Sequence, residues 1–146
     1  MKMRTQDLME RFPTLFPEVP PCGVGHGDGW TDLIDTLCCT LTEWGDDDEK
    51  NGIRVAQIKE KFGGLRFYVD GIPSEWQRGV IALAESMSFK ICEECGKPGV
   101  KRDTDWIKTL CDDCYVKVED KQWRHNAKFR IASLERRLKK LEEANA

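Results

Sequence analysis

Long apolar runs are missing from this chain. Charged residues make up 34% of its 146 positions and break every hydrophobic stretch well short of the roughly 20 residues that a spanning helix needs. Residues 1–10 mix charges of both signs and lack the apolar stretch of a secretory signal, so the expected compartment is the cytoplasm. Histidine is scarce: neither His26 nor His125 opens the His-x-Glu that zinc deaminases place beside their cysteines. No Ser-His-Asp or Cys-His constellation, paired carboxylate or dinucleotide fingerprint occurs, and Gly63-Gly64 lacks the G-x-x-x-x-G-K-[ST] spacing of a phosphate loop. These absences argue against an enzyme. Disorder is excluded as well, since 40% of the residues are hydrophobic, and the length suits one small domain with a short appended module.

Cysteine, by contrast, is plentiful. Seven thiols in a reducing compartment read as metal ligands plus buried thiols, and an odd count disfavours a disulfide framework. Cys92-Glu-Glu-Cys95 is followed fifteen residues after Cys95 by Cys111-Asp-Asp-Cys114. Two C-x2-C pairs at that interval form a zinc-ribbon signature, in which each pair curls round one side of a tetrahedral ion and a short hairpin joins them. Gly96 allows the tight turn after the first pair, and strands are expected at residues 100–102 and 106–110 around a turn at Asp103-Thr104-Asp105. Four thiolates close the tetrahedron, so the expected cofactor is one structural zinc ion on Cys92, Cys95, Cys111 and Cys114. Cys22 and His26 lack a second ligand pair and read as a loop thiol and a surface histidine. Cys38 and Cys39 read as small apolar fillers.

The remaining pattern predicts an α+β fold: an α-β-β-α body over residues 1–89, the ribbon over 90–116 and a basic amphipathic helix over 117–146. A short helix over residues 5–12 should stop at Pro13. Residues 16–29, with three prolines and four glycines, should be loop. Leu33, Ile34, Leu37, Cys38, Leu41 and Trp44 line one helical face, with Asp28 or Thr31 as cap. The acidic run 46–49 should be an exposed loop. Residues 53–70 read as a hairpin turning at Gly63-Gly64. Ala56, Ile58, Glu60, Phe62, Leu65, Phe67 and Val69 then face the core, while Gln57, Lys59, Lys61, Arg66, Tyr68 and Asp70 lie opposite. Ser74 and Gln77 form a capping box for a second helix whose apolar stripe is Trp76, Val80, Leu83, Ala84 and Met87. Trp30, directly behind a glycine loop, is expected to pack on the hairpin.

Charge is uneven. Residues 1–89 hold 9 Lys and Arg against 15 Asp and Glu, and residues 117–146 hold 9 against 5. The basic tail is free of glycine and proline, and Ala127, Ile131, Leu134, Leu138 and Leu141 alternate at the four-three spacing of a coiled-coil seam. Ile131, Leu134, Leu138 and Leu141 are thus candidate partner-binding residues, for a host protein or for a second copy in a homodimer. Lys59, Lys61, Arg66 and Tyr68 on the hairpin and Lys128, Arg136 and Arg137 on the tail are candidate anion or nucleic-acid contacts.

Three blocks in this order, Gly27-Asp28-Gly29-Trp30-x-x-Leu33-Ile34-x-x-Leu37-Cys38, then Lys59-Glu60-Lys61-Phe62-Gly63-Gly64-Leu65-Arg66-Phe67-Tyr68, then the cysteine pairs, carry a resemblance. Over residues 10–115 the chain is similar to a family of small, uncharacterised proteins of bacteriophages, prophages and bacteria. Members often have His where this chain has Cys114. The resemblance implies a phage-type viral protein of the host cytoplasm and supplies no activity; by analogy with phage proteins of this size, a non-enzymatic binder or inhibitor of a host or defence protein is expected. Nucleic-acid binding through the basic helix, helped by Lys97, Lys101 and Arg102 of the ribbon, is the alternative.

Overall fold

The computed structural model describes residues 5–103 and 105–145. The chain divides into two compact units, Met1–Cys114 and Tyr115–Ala146. Its elements run α1 (Thr5–Arg11), β1 (Val24–Gly25), a 3-10 turn (Asp28–Trp30), α2 (Thr31–Glu43), α3 (Asp47–Asn51), β2 (Ile53–Lys61), β3 (Gly64–Gly71), α4 (Glu75–Ser88), β4 (Val100–Arg102), β5 (Lys108–Leu110) and α5 (Asp112–Ala144). The fold is α+β as the pattern implied, with the helix-hairpin-helix body, the four-cysteine ribbon and a long final helix. Thr104, at the centre of the expected ribbon turn, lies outside the described residues.

The central sheet has the order β1-β2-β3, with β1 parallel and β3 antiparallel to β2. One face of the hairpin, Ile53, Val55, Ile58, Leu65 and Phe67, joins Leu8, Phe12, Leu15 and Phe16 from the chain start and Trp30, Ile34, Leu37, Cys38 and Leu41 in a single buried core. Two local devices move this core away from the expected residues. The register passes from Val55↔Val69 to Gln57↔Tyr68, so Ala56 is the extra residue of a bulge, and Val55 takes the buried place expected for Ala56. Lys61 pairs with Gly64, which puts Phe62 and Gly63, at φ +54° and +78°, in the two-residue turn. Two positive φ angles suit the twist of a tight hairpin. The turn therefore sits one residue before the expected Gly63-Gly64, and Phe62 is turned out to solvent rather than into the core. Gly64 is small for another reason: a Cβ there would fall 2.2 Å from the Phe89 ring.

Other departures have similar local causes. Residues 16–29 are not all loop, because Cys22 and Gly23 share hydrogen bonds with Ala56 and Ile58 and draw Val24–Gly25 onto the edge of β2. The acidic run is not loop either: Asp46 and Glu49 form a reciprocal capping box that starts α3. The first residue of α2 follows Trp30 directly, and no side chain caps it. Trp44, at the far end of α2, is exposed.

The largest correction concerns α4. The capping box of Ser74 and Gln77 is present, yet the helix buries Gln77, Ile81, Ala84 and Ser88, while Trp76, Leu83 and Met87 face outward, Leu83 at 61% exposure. Hydrogen bonding explains the rotation. Strand β3 is the edge of the sheet, and its Leu65 and Phe67 amides donate to Ser88 Oγ (2.8 Å) and Glu85 Oε1 (2.9 Å). Gln77 Nε2 donates to the Glu49 carbonyl at 2.6 Å. Pairing the two edge-strand amides, which would otherwise be buried unsatisfied, outweighs burial of two more apolar side chains. Replacing Ser88 with Ala should therefore destabilise the protein by about 1–3 kcal/mol, through the orphaned Leu65 amide. Leu83→Lys should stay within about 0.5 kcal/mol. Denaturant unfolding of the two variants checks this, and the reverse ranking would mean that α4 presents the other face.

Candidate metal centre and its glycine surroundings

Each cysteine pair is placed by its own short element. In the first knuckle the Gly96 amide donates to the Cys92 carbonyl (2.9 Å) and the Cys92 amide to the Lys97 carbonyl (2.7 Å). Gly96 has φ +78°, a conformation that only glycine takes without strain. The second knuckle leaves β5 at Leu110 and enters α5, so Cys114 lies in the first turn of that helix. The hairpin β4–β5 is in register from Val100↔Leu110 to Arg102↔Lys108 and brings the knuckles face to face. The Glu93 amide donates to the Thr109 carbonyl across the gap at 3.0 Å.

The sulfurs of Cys92, Cys95, Cys111 and Cys114 all lie within 4.8 Å of one another, and those of Cys95 and Cys111 are 3.6 Å apart. A tetrahedral ion with metal–sulfur bonds of about 2.3 Å requires sulfur separations of about 3.8 Å. The donor set thus fits one metal ion, held by the residues expected from the spacing. Cys92 and Cys114 are buried, and Cys95 faces solvent. The Cys111 thiol is pulled down to about 7, first by the backbone amide of Cys114 and then by the neighbouring sulfurs, while burial pushes the Cys114 thiol up. Amide hydrogens of Lys97 and Cys114 therefore already point at sulfurs that must be thiolates to bind metal. Charges ring the cluster: Lys108 Nζ lies 2.9 Å from both Glu93 and Glu94, Lys97 is 3.7 Å from Asp113, and Arg102 pairs with Asp112. Glu93 is buried, which raises its carboxyl above the usual range, with Lys108 opposing.

What the sequence pattern did not reveal is how the first knuckle meets the body. Gly27, Asp28 and Gly29 lie flat against it. The Gly29 amide donates to the Glu93 carbonyl at 2.9 Å, and a Cβ on Gly29 would fall 2.0 Å from the Cys92 carbonyl oxygen and 2.5 Å from the Gly96 nitrogen. At Gly27 a Cβ would meet the Glu93 carbonyl oxygen at 2.0 Å. Backbone rests on backbone here, and no side chain can be inserted. Trp30 is fully buried in the core and its indole Nε1 donates to the Ile91 carbonyl at 3.0 Å, next to Cys92. It joins hairpin core and ribbon, a wider role than packing on the hairpin. A second contact lies at the hairpin tip, where Thr109 Oγ1 donates to the Gly63 carbonyl at 2.6 Å. The visible signal for the first contact was glycine at alternate positions before a tryptophan.

The other candidates are scattered. His26 is buried, contrary to the expected surface position, with Nδ1 2.8 Å from the Gly27 carbonyl, and Cys22 is exposed. Cys38 is buried and its thiol is pushed up by burial and by Asp35, so it stays a neutral filler; Cys39 is half-buried. On the open hairpin face Lys59 stands over the Tyr68 ring (5.4 Å), Lys61 over Phe62 (5.7 Å) and Arg66 over Phe89 (5.8 Å). Lys59 and Lys61 also border a cleft of about 450 Å³ walled by Phe62, Trp106 and Ile107. Glu60 holds that wall by accepting from the Trp106 indole and the Gly63 amide, both at 2.8 Å. Lys128, Arg136 and Arg137 are partly or fully exposed on α5, as are Ile131, Leu134, Leu138 and Leu141, at 55–60%. Among the described residues no helix is long and apolar enough to cross a membrane.

Two measurements follow from this geometry. Elemental analysis should find one metal ion per chain, lost in Cys95→Ser, because binding free energy is folding free energy for so small a module; a metal-free protein with an unchanged melting curve would contradict the site. Gly29→Ala should cost about 1–3 kcal/mol, since its methyl must displace the knuckle backbone; an alanine variant as stable as the parent would mean that the contact is absent in solution. No family model, no curated protein and no solved structure matches this chain.

Proposed function

We propose that the chain is a zinc-stabilised, non-enzymatic protein-binding module of phage type, which acts by occupying a protein of the host, defence machinery included. The observation that carries this reading is the apolar row that α4 leaves exposed beside the inward Val80 and Ala84. Trp76, Leu83 and Met87 are turned outward, and Ile72 just before the helix is 89% exposed. A contiguous exposed apolar patch is a mark of a protein-interaction site. The seam of α5 is a second open face and serves the same class of interaction.

Zinc is the ion that suits the donor set. Four thiolates in a tetrahedron favour zinc over the oxygen-seeking divalent ions, and a closed set leaves no position for water or substrate. The ion then works as a staple. It pins Cys92 and Cys95 beneath Gly27 and Gly29, and so holds the start of α2 and the Trp30 contact in one arrangement. The phage character rests on the three sequence blocks that resemble phage and prophage proteins, and it places the work in a host cytoplasm.

Nucleic-acid binding is the competing reading, favoured by Arg136, Arg137, Lys139 and Lys140, which border one open groove along α5. One experiment separates the two. The zinc-loaded chain is immobilised and offered host extract alongside Leu83→Lys/Met87→Lys and Lys139→Ala/Lys140→Ala variants, with gel-shift titrations at two salt concentrations. The protein-binding reading expects a discrete host protein that the α4 variant loses and the lysine variant keeps. No retained protein, together with a shift that weakens steeply with salt, would replace it with the nucleic-acid reading.

A further inference from the structure

The exposed seam of α5 lacks a cover within its own unit, and the charges beside it select one. In heptad terms Ile131 and Leu138 occupy a, and Ala127, Leu134 and Leu141 occupy d. Ile131 at a with Leu134 at d meets the β-branched and leucine pattern that favours two strands, and Leu138 at the second a does not add to it. All four large side chains of the seam are 55–60% exposed. Tyr115–Ala146 is one helix for nearly its whole length, so it has no second element of its own to bury them.

The flanking positions carry the argument further. Arg130 and Arg137 fall at g, and Glu135 and Glu142 fall at e. In a parallel, in-register pair, each g residue faces the e residue five positions later on the other helix. Arg130 then meets Glu135 of the second copy, and Arg137 meets Glu142, with both pairs repeated by symmetry. In an antiparallel pair g faces g and e faces e, which sets arginine against arginine and glutamate against glutamate. Among the described residues none of these four charges has an ion-pair partner within the chain. We propose that α5 is a self-recognition helix that pairs with a second copy of this chain as a parallel, in-register coiled coil through Ile131, Leu134, Leu138 and Leu141. Arg130–Glu135 and Arg137–Glu142 contacts set the orientation.

The proposal rests on reading the α5 seam as a protein-binding face and owes nothing to the α4 row, so the two can fail separately. With Arg124 and Asn145 at the bordering a positions, the apolar seam spans about two heptads, which points to a reversible dimer. A single isologous surface closes it without further assembly.

The test uses the full zinc-loaded chain in sedimentation equilibrium between about 10 and 300 µM. The parent should shift from monomer to dimer across this range. Leu134→Asp with Leu138→Asp should stay monomeric while keeping its zinc and melting transition. Arg130→Glu with Arg137→Glu should weaken the dimer at least tenfold, and adding Glu135→Arg and Glu142→Arg to the same chain should restore it. Orientation is read from Asn145→Cys in a Cys22→Ser background: mild oxidation should give a covalent dimer that the Cys22→Ser chain alone does not form. A parent chain that remains monomeric to 300 µM overturns the proposal. A dimer that persists without 145–145 cross-linking overturns the parallel register, and a dimer indifferent to the charge reversals removes the role of the four charges.

Discussion

The arrangement depends on one backbone contact, the seating of Gly27 and Gly29 on the carbonyls of Glu93 and Cys92. Two methyl groups' worth of space is withheld there, and the withheld space lets a metal knuckle touch the body without an intervening side chain. Everything nearby takes its place from that seat. The 3-10 turn over Asp28–Trp30 starts on it, α2 follows without a side-chain cap, and Trp30 spans from the core to the Ile91 carbonyl. The opposite end of the ribbon is held by Thr109 on Gly63. A ribbon of some 25 residues has little core of its own, so a four-cysteine cluster able to hold a metal and two glycine contacts take over the work that a hydrophobic interior does elsewhere.

Much of this was legible before any coordinates. The cysteine spacing named all four members of the cluster that could hold an ion, because a tetrahedral site needs a short-range geometry that sequence spacing records directly. The hairpin, the capping box at Ser74 and the long final helix were equally plain, since each follows from local propensity. Positions set by tertiary hydrogen bonding were misread. The apolar row Trp76, Leu83 and Met87 is more hydrophobic than the face that α4 buries, yet Ser88, Glu85 and Gln77 turn inward to satisfy β3 and Glu49. Periodicity counts only hydrophobic burial and is blind to an edge strand that needs acceptors. The one-residue displacement of the hairpin turn has a related cause: Gly64 is claimed by the Phe89 ring, so Phe62 bears the positive φ.

The molecule's surface keeps several large apolar side chains in the open. Phe62 in a left-handed conformation, Trp106 fixed over Glu60 and the outward row of α4 are all large apolar groups held where solvent reaches them. Stability alone does not favour such placements. Under the proposed function they are contact surfaces, and four thiolates closing on one ion would add rigidity to the same module. The acidic body and basic tail divide the chain chemically at the same place where Met1–Cys114 gives way to Tyr115–Ala146.

The central claim is that metal in the ribbon organises the body through the glycine seat. Amide hydrogen exchange, residue by residue, with metal bound and after chelation, tests it most directly. The account predicts that chelation frees not only the ribbon amide of Glu93 but also Gly29 and the first turn of α2, while Val55 and the α4-bound Leu65 retain more of their protection. Unchanged protection at Gly29 after the metal has been removed would contradict it.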